Sequence, residues 1–461
     1  MSTNDDAKLY ELLRELANTT KKIIDDGLAS GSLKPDVEVY FRWKLKDFKY
    51  DDNGPSDASA QGEQFLKEDW FRASIKISEE AKNSSIYKTC LEYLKSRFGD
   101  RMSDQYLDSF VSKVIFDCLY NKRFDEHAII SLAERLLKGL KGEPLKYGAK
   151  VELQGVVLRP DKVDIAHGII VRKTAKEDLE KEHPYYSIAM GPLSSLHPMP
   201  SSILEIEFLG TRGNEIQKKV EEATALLRLF KVGSVKHSSY HMRTESLVDI
   251  GAGGTMWSHD ITTALEKYLI TEDDIKPLKK FWENLQSILP ESIFWSSQGK
   301  EDHVTIAYKR YSEALIQNGI IERRIANAIM GLEALLLKPG ETQELVYRLS
   351  NRVAKCLGIF NFNTLEIKKI VSDAYRVRNL FAHGGQLSYK EKKKIEEKYK
   401  DVRNLLKYVL DYLRICIVAF ITLNVVKDEF IDLIDASFLD RKSEEQLTGA
   451  LNTAKYILVV N

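Results

Sequence analysis

Arg378, Asn379 and His383 lie in the run YRVRNLFAHGG, Tyr375 to Gly385. At about 100° per residue, Asn379 and His383 share a helix face, and Arg378 sits beside it with an arm long enough to swing across. His383 falls in the last helical turn, because Gly384-Gly385 ends the pattern as a C-terminal glycine cap does. There the negative end of the helix dipole favours an imidazolium. A histidine that takes and gives a proton serves general acid–base chemistry. An arginine fork suits holding a phosphodiester and the charge that builds on it. One Arg and one His do not readily supply both acid and base; two copies in a two-fold dimer would. The spacing alone also fits a plain helix-end histidine beside an arginine in a surface ion pair.

Other residues compete for attention. Tyr389 to Arg403 (YKEKKKIEEKYKDVR) carries seven basic and four acidic residues directly after this run. Lys392, Lys393 and Lys394 could guide an RNA backbone; the stretch reads equally as a solvated helix face laced with pairs such as Glu396–Lys400. Glu333, amid apolar residues, could orient the Arg or His, or could pair with Arg348 or Arg352. His237 and His241, four apart, could place two metal ligands on one helix face, but no Cys stands near and HSSYHMR is not clearly helical. His259-Asp260 is a weaker pair. Gly251-Ala252-Gly253-Gly254 lacks the Lys-Ser/Thr of a phosphate loop and reads as a flexible loop.

The elements that would position these residues change character along the chain. Asp5–Asp26 has helical spacing of Leu9, Leu12, Leu13, Leu16 and Ile23. Val37–Leu45 alternates as a half-buried strand does, and Asp51–Glu63 reads as a polar loop. Helical patterns follow over Ser84–Phe98 and Ser103–Lys141. Lys150–Leu158 and Val163–Lys173 are β-rich and read as a hairpin turning at Arg159–Lys162. A further strand is expected over Ile203–Leu209, irregular chain over the Pro-rich His183–Ser202, and a helix over Asn214–Phe230.

From about Glu301 the pattern is almost purely helical. Helices are expected over Thr305–Gln317, Ile321–Leu337, Thr342–Leu357, Thr364–His383 with Thr364 as N-cap, a long one capped by Ser388 and running from Glu391 to Val425, and Ser443–Val459. The fold class is thus an α+β N-terminal region followed by an all-α bundle. The expected domains are a mainly helical 1–145, an α+β region 146–300 with a sensor or regulatory role, and a helical 301–461. The apolar run Leu410–Val426 is read as core, and in a dimeric bundle could also serve as the protomer interface.

Composition narrows the setting. The 461 residues carry 68 Lys+Arg and 68 Asp+Glu, so a polyanion site must be a local patch on a neutral protein. Cys90, Cys118, Cys356 and Cys416 form no CxxC pair and read as reduced thiols. The start, MSTNDDAKLYELLREL, lacks the pattern of a secretory signal. The most apolar stretch, Ile415–Val426, is too short to span a membrane. A soluble, cytoplasmic protein without membrane partners is expected.

The block GLEALLLKPGETQELVYRLSNRVAKCLG (Gly331–Gly358), followed by YRVRNLFAHGG, resembles the Apea-like branch of the HEPN superfamily. The resemblance covers Tyr308 to Val426, about a quarter of the chain. It rests on Leu-Glu-Ala-Leu before a Pro-Gly break, the Tyr-Arg-Leu and Asn-Arg-Val-Ala elements, and Arg-Asn-x3-His-Gly-Gly at a helix end. It implies a HEPN-like helical bundle and a metal-independent endoribonuclease, with no cofactor and no metal. Arg378 and His383 match the signature Arg and His, and Asn379 the polar position after the Arg. The resemblance implies that His383 activates a ribose 2′-hydroxyl, giving 2′,3′-cyclic phosphate and 5′-hydroxyl ends. The site would be shared between two protomers of a homodimer or higher homo-oligomer. A toxin or antiviral-defence (abortive infection) effector is expected, its nuclease held idle by an N-terminal part that senses an unidentified trigger. The alternative is a helical module that binds RNA or nucleotide without cutting it, or only dimerises.

Overall fold

The computed structural model describes residues 3–56, 60–100, 103–180, 182–184, 200–249, 254–257, 267–295, 301–316, 319–423 and 425–458. A sheet-containing N-terminal part precedes a helical C-terminal part. The chain opens with α1 (Thr3–Ala29), β1 (Asp36–Leu45), β2 (Lys49–Asp51), β3 (Gly54–Ser56) and β4 (Ala60–Asp69). Helices α2 (Phe71–Asn83), α3 (Ser85–Phe98), α4 (Ser103–Leu119) and α5 (Glu126–Lys141) follow. Leu9, Leu13, Leu16 and Ile24 of α1 recur at helical spacing and pack with Ile77, Leu94, Phe110 and Leu136 in one apolar cluster. Within the expected loop over 51–63, residues 51–56 belong to a tight hairpin, with Gly54 at φ +98°, and 60–63 to the start of β4, which pairs antiparallel with β1; residues 57–59 lie outside the described residues. Its polar composition reflects a strand that is mostly solvent-exposed.

The middle of the chain holds β5 (Leu145–Gln154), β6 (Val156–Leu158), β7 (Lys162–Ala166), β8 (Ile169–Lys173), α6 (Lys176–Leu179), β9 (Glu182–Pro184), β10 (Ser202–Gly210), α7 (Asn214–Phe230), β11 (Lys236–Thr244), β12 (Gly254–Trp257), β13 (Tyr268–Ile270), α8 (Glu272–Gln286) and α9 (Glu291–Phe294). An antiparallel sheet runs in the order β12-β11-β5-β10-β8-β7. The hairpin expected to turn at Arg159–Lys162 turns elsewhere. β7 and β8 pair with each other, β6 leaves to run parallel to β13, and β5 lies between β10 and β11. The turn is at Gly168, φ +71°, where an added Cβ would meet the Glu207 carbonyl oxygen at 2.0 Å. Only glycine admits that backbone approach. Most of the Pro-rich 183–202 segment lies outside the described residues.

The helical part comprises α10 (His303–Ile316), α11 (Ile321–Leu336), α12 (Leu345–Gly358), α13 (Thr364–Ala382), α14 (Tyr389–Tyr399), α15 (Val402–Ile421), α16 (Lys427–Ala436) and α17 (Arg441–Ile457). Three expectations are corrected. The long fifth helix is two, α14 and α15, broken at Lys400 (φ +67°), with Asp401 capping the second by accepting from the Arg403 amide. Thr364 is not the N-cap of α13; Asn363 is, accepting from the amides of Leu365 and Glu366. α12 starts at Leu345 rather than Thr342, since Glu344 stands in the left-handed region at φ +54°.

One continuous core runs from Leu145 to Leu458 and joins sheet to helices; residue 300 falls within its span. The joint is made at the end of α7, whose last carbonyls have no partner within the helix. Tyr268 donates to Leu227, Tyr311 to Arg228, and the buried Arg414 of α15 to Leu229 and Phe230. From Tyr412 to Phe420 every residue of α15 is buried within the protomer. The Leu410–Val426 run is thus largely core as far as Phe420, while Val425 and Val426 beyond the helix are exposed. Among the described residues, no helix is long and apolar enough to cross a membrane.

Candidate functional site

α13 carries Arg378 and Asn379 and presents His383 at its end. The helix stops in a Schellman arrangement. The Gly385 amide donates to Leu380 O at 2.9 Å, the Gly384 amide to Phe381 O at 2.9 Å, and Gly384 adopts φ +77°. His383 is the C-cap residue (φ −91°, ψ 15°) and is exposed, whereas the helix's inner face buries Ile370, Val371, Ala374, Tyr375 and Val377. The imidazole therefore projects from a helix end where carbonyl dipoles converge.

Arg378 is held beside it. Its Nη2 pairs with Glu333 Oε2 at 3.1 Å and its Nη1 donates to Asn379 Oδ1 at 3.3 Å. The guanidinium lies over the Tyr375 ring, 5.5 Å from the centroid. About a quarter of the Arg378 side chain (27%) stays exposed, enough to meet a ligand from solvent. Tyr375 is buried, and burial together with its hydrogen bond to Glu333 pushes its hydroxyl well above the usual tyrosine range, so it remains a donor. Glu333 on α11 thus receives both the Tyr375 hydroxyl and the Arg378 guanidinium. Of the two roles open to Glu333, it takes the first. Arg348 and Arg352 both pair with Glu341 instead.

The sequence candidates are only partly brought together. Arg378 and Asn379 touch. His383 lies about 7.5 Å further along the helix axis and makes no side-chain hydrogen bond or ion pair among the described residues. Lys392, Lys393 and Lys394 are exposed on α14, whose Ile395 is the buried anchor. Lys392 reaches toward Glu322, 4.0 Å away. Tyr375 was missed as part of the site. Its signal was the i, i+3 spacing to Arg378, which stacks a ring under a guanidinium on a helix.

The remaining candidates resolve as follows. His237 and His241 lie on β11, not on a helix, and a register shift separates His237 from Ser239. His237 is mostly buried, with Nε2 3.8 Å from Glu221, and burial pushes its imidazole down to about 4. His241 is exposed. Among the described residues, no group of three His, Cys, Asp or Glu side chains could hold a metal ion. His259-Asp260 and Gly251–Gly253 lie outside the described residues. No family model matches the chain, and no curated protein or solved structure matches it either.

Proposed function

We propose that the helical C-terminal part is a HEPN-type, metal-independent endoribonuclease, and that the whole chain is a toxin or antiviral-defence effector. The observation that carries the reading is the exposed His383 at a helix end, one and a half turns from an arginine fixed by Glu333 and Asn379. In the proposed reaction, the His383 imidazole takes the proton of a ribose 2′-hydroxyl. The O2′ attacks the adjacent phosphorus, and the P–O5′ bond breaks. His383 of a second copy, as imidazolium, gives its proton to the departing O5′. The products are a 2′,3′-cyclic phosphate and a 5′-hydroxyl, and the chemistry balances without any further reactant. Arg378 takes the charge on the non-bridging phosphate oxygens. Glu333 and Asn379 engage two of its five N–H groups, which leaves the others for the phosphate. Lys392, Lys393 and Lys394 would attract the strand rather than react with it. The sheet-bearing part is the proposed restraint and sensor; its α7 is fastened to the bundle through Arg414 and Tyr311.

The test is cleavage of RNA in excess EDTA. Wild type should cut and leave cyclic-phosphate ends, while His383→Ala and Arg378→Ala should each lose about a hundredfold or more. If both variants cut as well as wild type, the site is misassigned; if EDTA abolishes cutting, the metal-free mechanism fails. The second reading is a module that binds RNA or nucleotide, or dimerises, without cleavage. It draws on the Glu333 carboxylate, which offsets part of the Arg378 charge. Under it, over-expression would harm cells no less after His383→Ala, and the purified protein would release RNA uncut.

A further inference from the structure

A cavity of about 650 Å³ opens at the opposite end of α13 from His383. Glu366 on its rim and His383 are 17 residues apart, about 25 Å along the helix. The walls come from four places: Lys231 just after α7, Glu366 in the first turn of α13, Lys398 and Lys400 at the end of α14, and Lys407 and Tyr408 on α15. The cavity therefore lies on the seam between the sheet-bearing part and the bundle.

Three observations bear on what it holds. The first is charge. Lys231 is held by Asp274 at 2.6 Å and Lys398 by Asp373 at 2.8 Å, but the ammonium groups of Lys400 and Lys407 have no acidic partner among the described residues. Of the two lining carboxylates, Asp411 is already bound by Arg414 at 2.7 Å, which leaves only the exposed Glu366 to oppose them. The second is strain. Lys400 stands at φ 67°, ψ −36°, a conformation costly for any side chain but glycine's, and glycine or asparagine would end α14 more cheaply. Lys400 lines the cavity, so this strained position carries a cation at the site. The third is a flat apolar surface: Tyr408 is exposed on the same wall. Cations beside an exposed aromatic side chain suit phosphates joined to a planar base, and the volume lies in the range of small-molecule sites.

We propose that this seam is a binding site for a nucleoside oligophosphate, with the phosphates on Lys400 and Lys407 and the base against Tyr408. The assignment does not depend on the ribonuclease reading.

The full-length chain is titrated calorimetrically, in EDTA, with ATP, tripolyphosphate and a single-stranded oligonucleotide. ATP should bind saturably and more tightly than tripolyphosphate. The double variant Lys400→Gln/Lys407→Gln should weaken both by about tenfold or more, and Tyr408→Ala should narrow the gap between them. His383→Ala should bind as wild type, which separates this site from the nuclease. Lys400→Gly is the sharpest variant: the free chain should resist heat better while ATP binding weakens, a combination a merely structural lysine would not give. The proposal is overturned if wild type binds neither ATP nor tripolyphosphate saturably, if the double variant binds them undiminished, or if only the oligonucleotide binds.

Discussion

Two arginines on neighbouring helices, Arg352 of α12 and Arg378 of α13, show how one residue type serves two ends. Arg352 is buried, and all five of its N–H groups are used. Nε and Nη2 reach Asp435, Nη1 and Nη2 reach Glu341, and Nη1 also reaches the Leu336 carbonyl, all within 2.7–2.9 Å. Arg378 uses two, at 3.1 and 3.3 Å, and has three without a hydrogen-bond partner among the described residues. The first has two carboxylates and no donor to spare; the second has one carboxylate, an amide and an open side. A clasped arginine holds helices together, and a half-held one is positioned and still able to bind.

The contrast is broken most directly at Arg352. Arg352→Ala leaves Glu341 and Asp435 facing each other with the desolvation cost unreturned, so it should destabilise by about 3–5 kcal/mol. Arg378→Ala removes one partly exposed pair and should cost about 1 kcal/mol or less. Urea unfolding of both variants checks this. If Arg378→Ala proved the more damaging, Arg378 would be the structural arginine and the candidate site would lose its binding group.

The next largest effect is on acid stability. Hydrogen bonds from Arg352 hold the Glu341 carboxyl at about 2, down from 4.5. A lowered carboxylate lends stability that is complete above pH 4.5, where the unfolded chain is also ionised. That stability drains away as the pH falls toward 2, because the unfolded chain takes up its proton first. Wild type should lose urea resistance across that window, and Glu341→Gln, though weaker overall, should lose less across it. An equal slope in both proteins would mean that Arg352 does not grip Glu341 as described.

How much of this contrast the sequence reveals depends on how local the cause is. The helices of the bundle could be read because apolar spacing and terminators such as Lys338-Pro339-Gly340 act within a few residues. The α14–α15 break could not, since Lys400 is an unfavourable residue for the conformation it adopts and gives no signal. β11 was hidden because HSSYHMR is polar, yet Ser238, Ser239 and Tyr240 are buried between neighbouring strands. At the candidate site, Arg378, Asn379 and His383 were legible as a spacing on one helix. The partner of Glu333 was not, because Arg348, Arg352 and Arg378 all stood open to it. Only the packing of α11 against α13 decides among them.

Two histidines repeat the contrast on a smaller scale. His237 is mostly buried and its Nδ1 has no partner among the described residues, while His383 projects into solvent. Burial brings the His237 imidazole from 6.5 down to about 4, with Arg228 and Lys236 adding to the effect. Between those values the unfolded chain binds a proton that the folded one refuses, so stability falls as the pH drops from 6.5 to 4. His237→Leu should flatten that limb of the stability profile. The limb lies almost wholly above the Glu341 window, so one pH series resolves both. A limb that persisted in the variant would place its cause elsewhere.

The smallest effect concerns how His383 is presented. An added Cβ at Gly384 meets nothing within 4 Å, so Gly384→Ala should cost only the backbone penalty of a left-handed residue, about 1 kcal/mol. At Gly385 the φ is unexceptional; a Cβ would come within 2.7 Å of Leu380 Cδ1, on a side chain that can turn aside, and 3.2 Å from the Leu380 carbonyl oxygen, a tight contact that a shift of a few tenths of an ångström relieves. Gly384→Ala should therefore loosen the Schellman turn that fixes the His383 backbone, whereas Gly385→Ala should leave that turn closed. Under the nuclease reading, activity should follow the turn, falling in Gly384→Ala and holding near wild type in Gly385→Ala. If both variants cut RNA equally well, the helix end does not aim the imidazole, and His383 needs no more than its place in the chain.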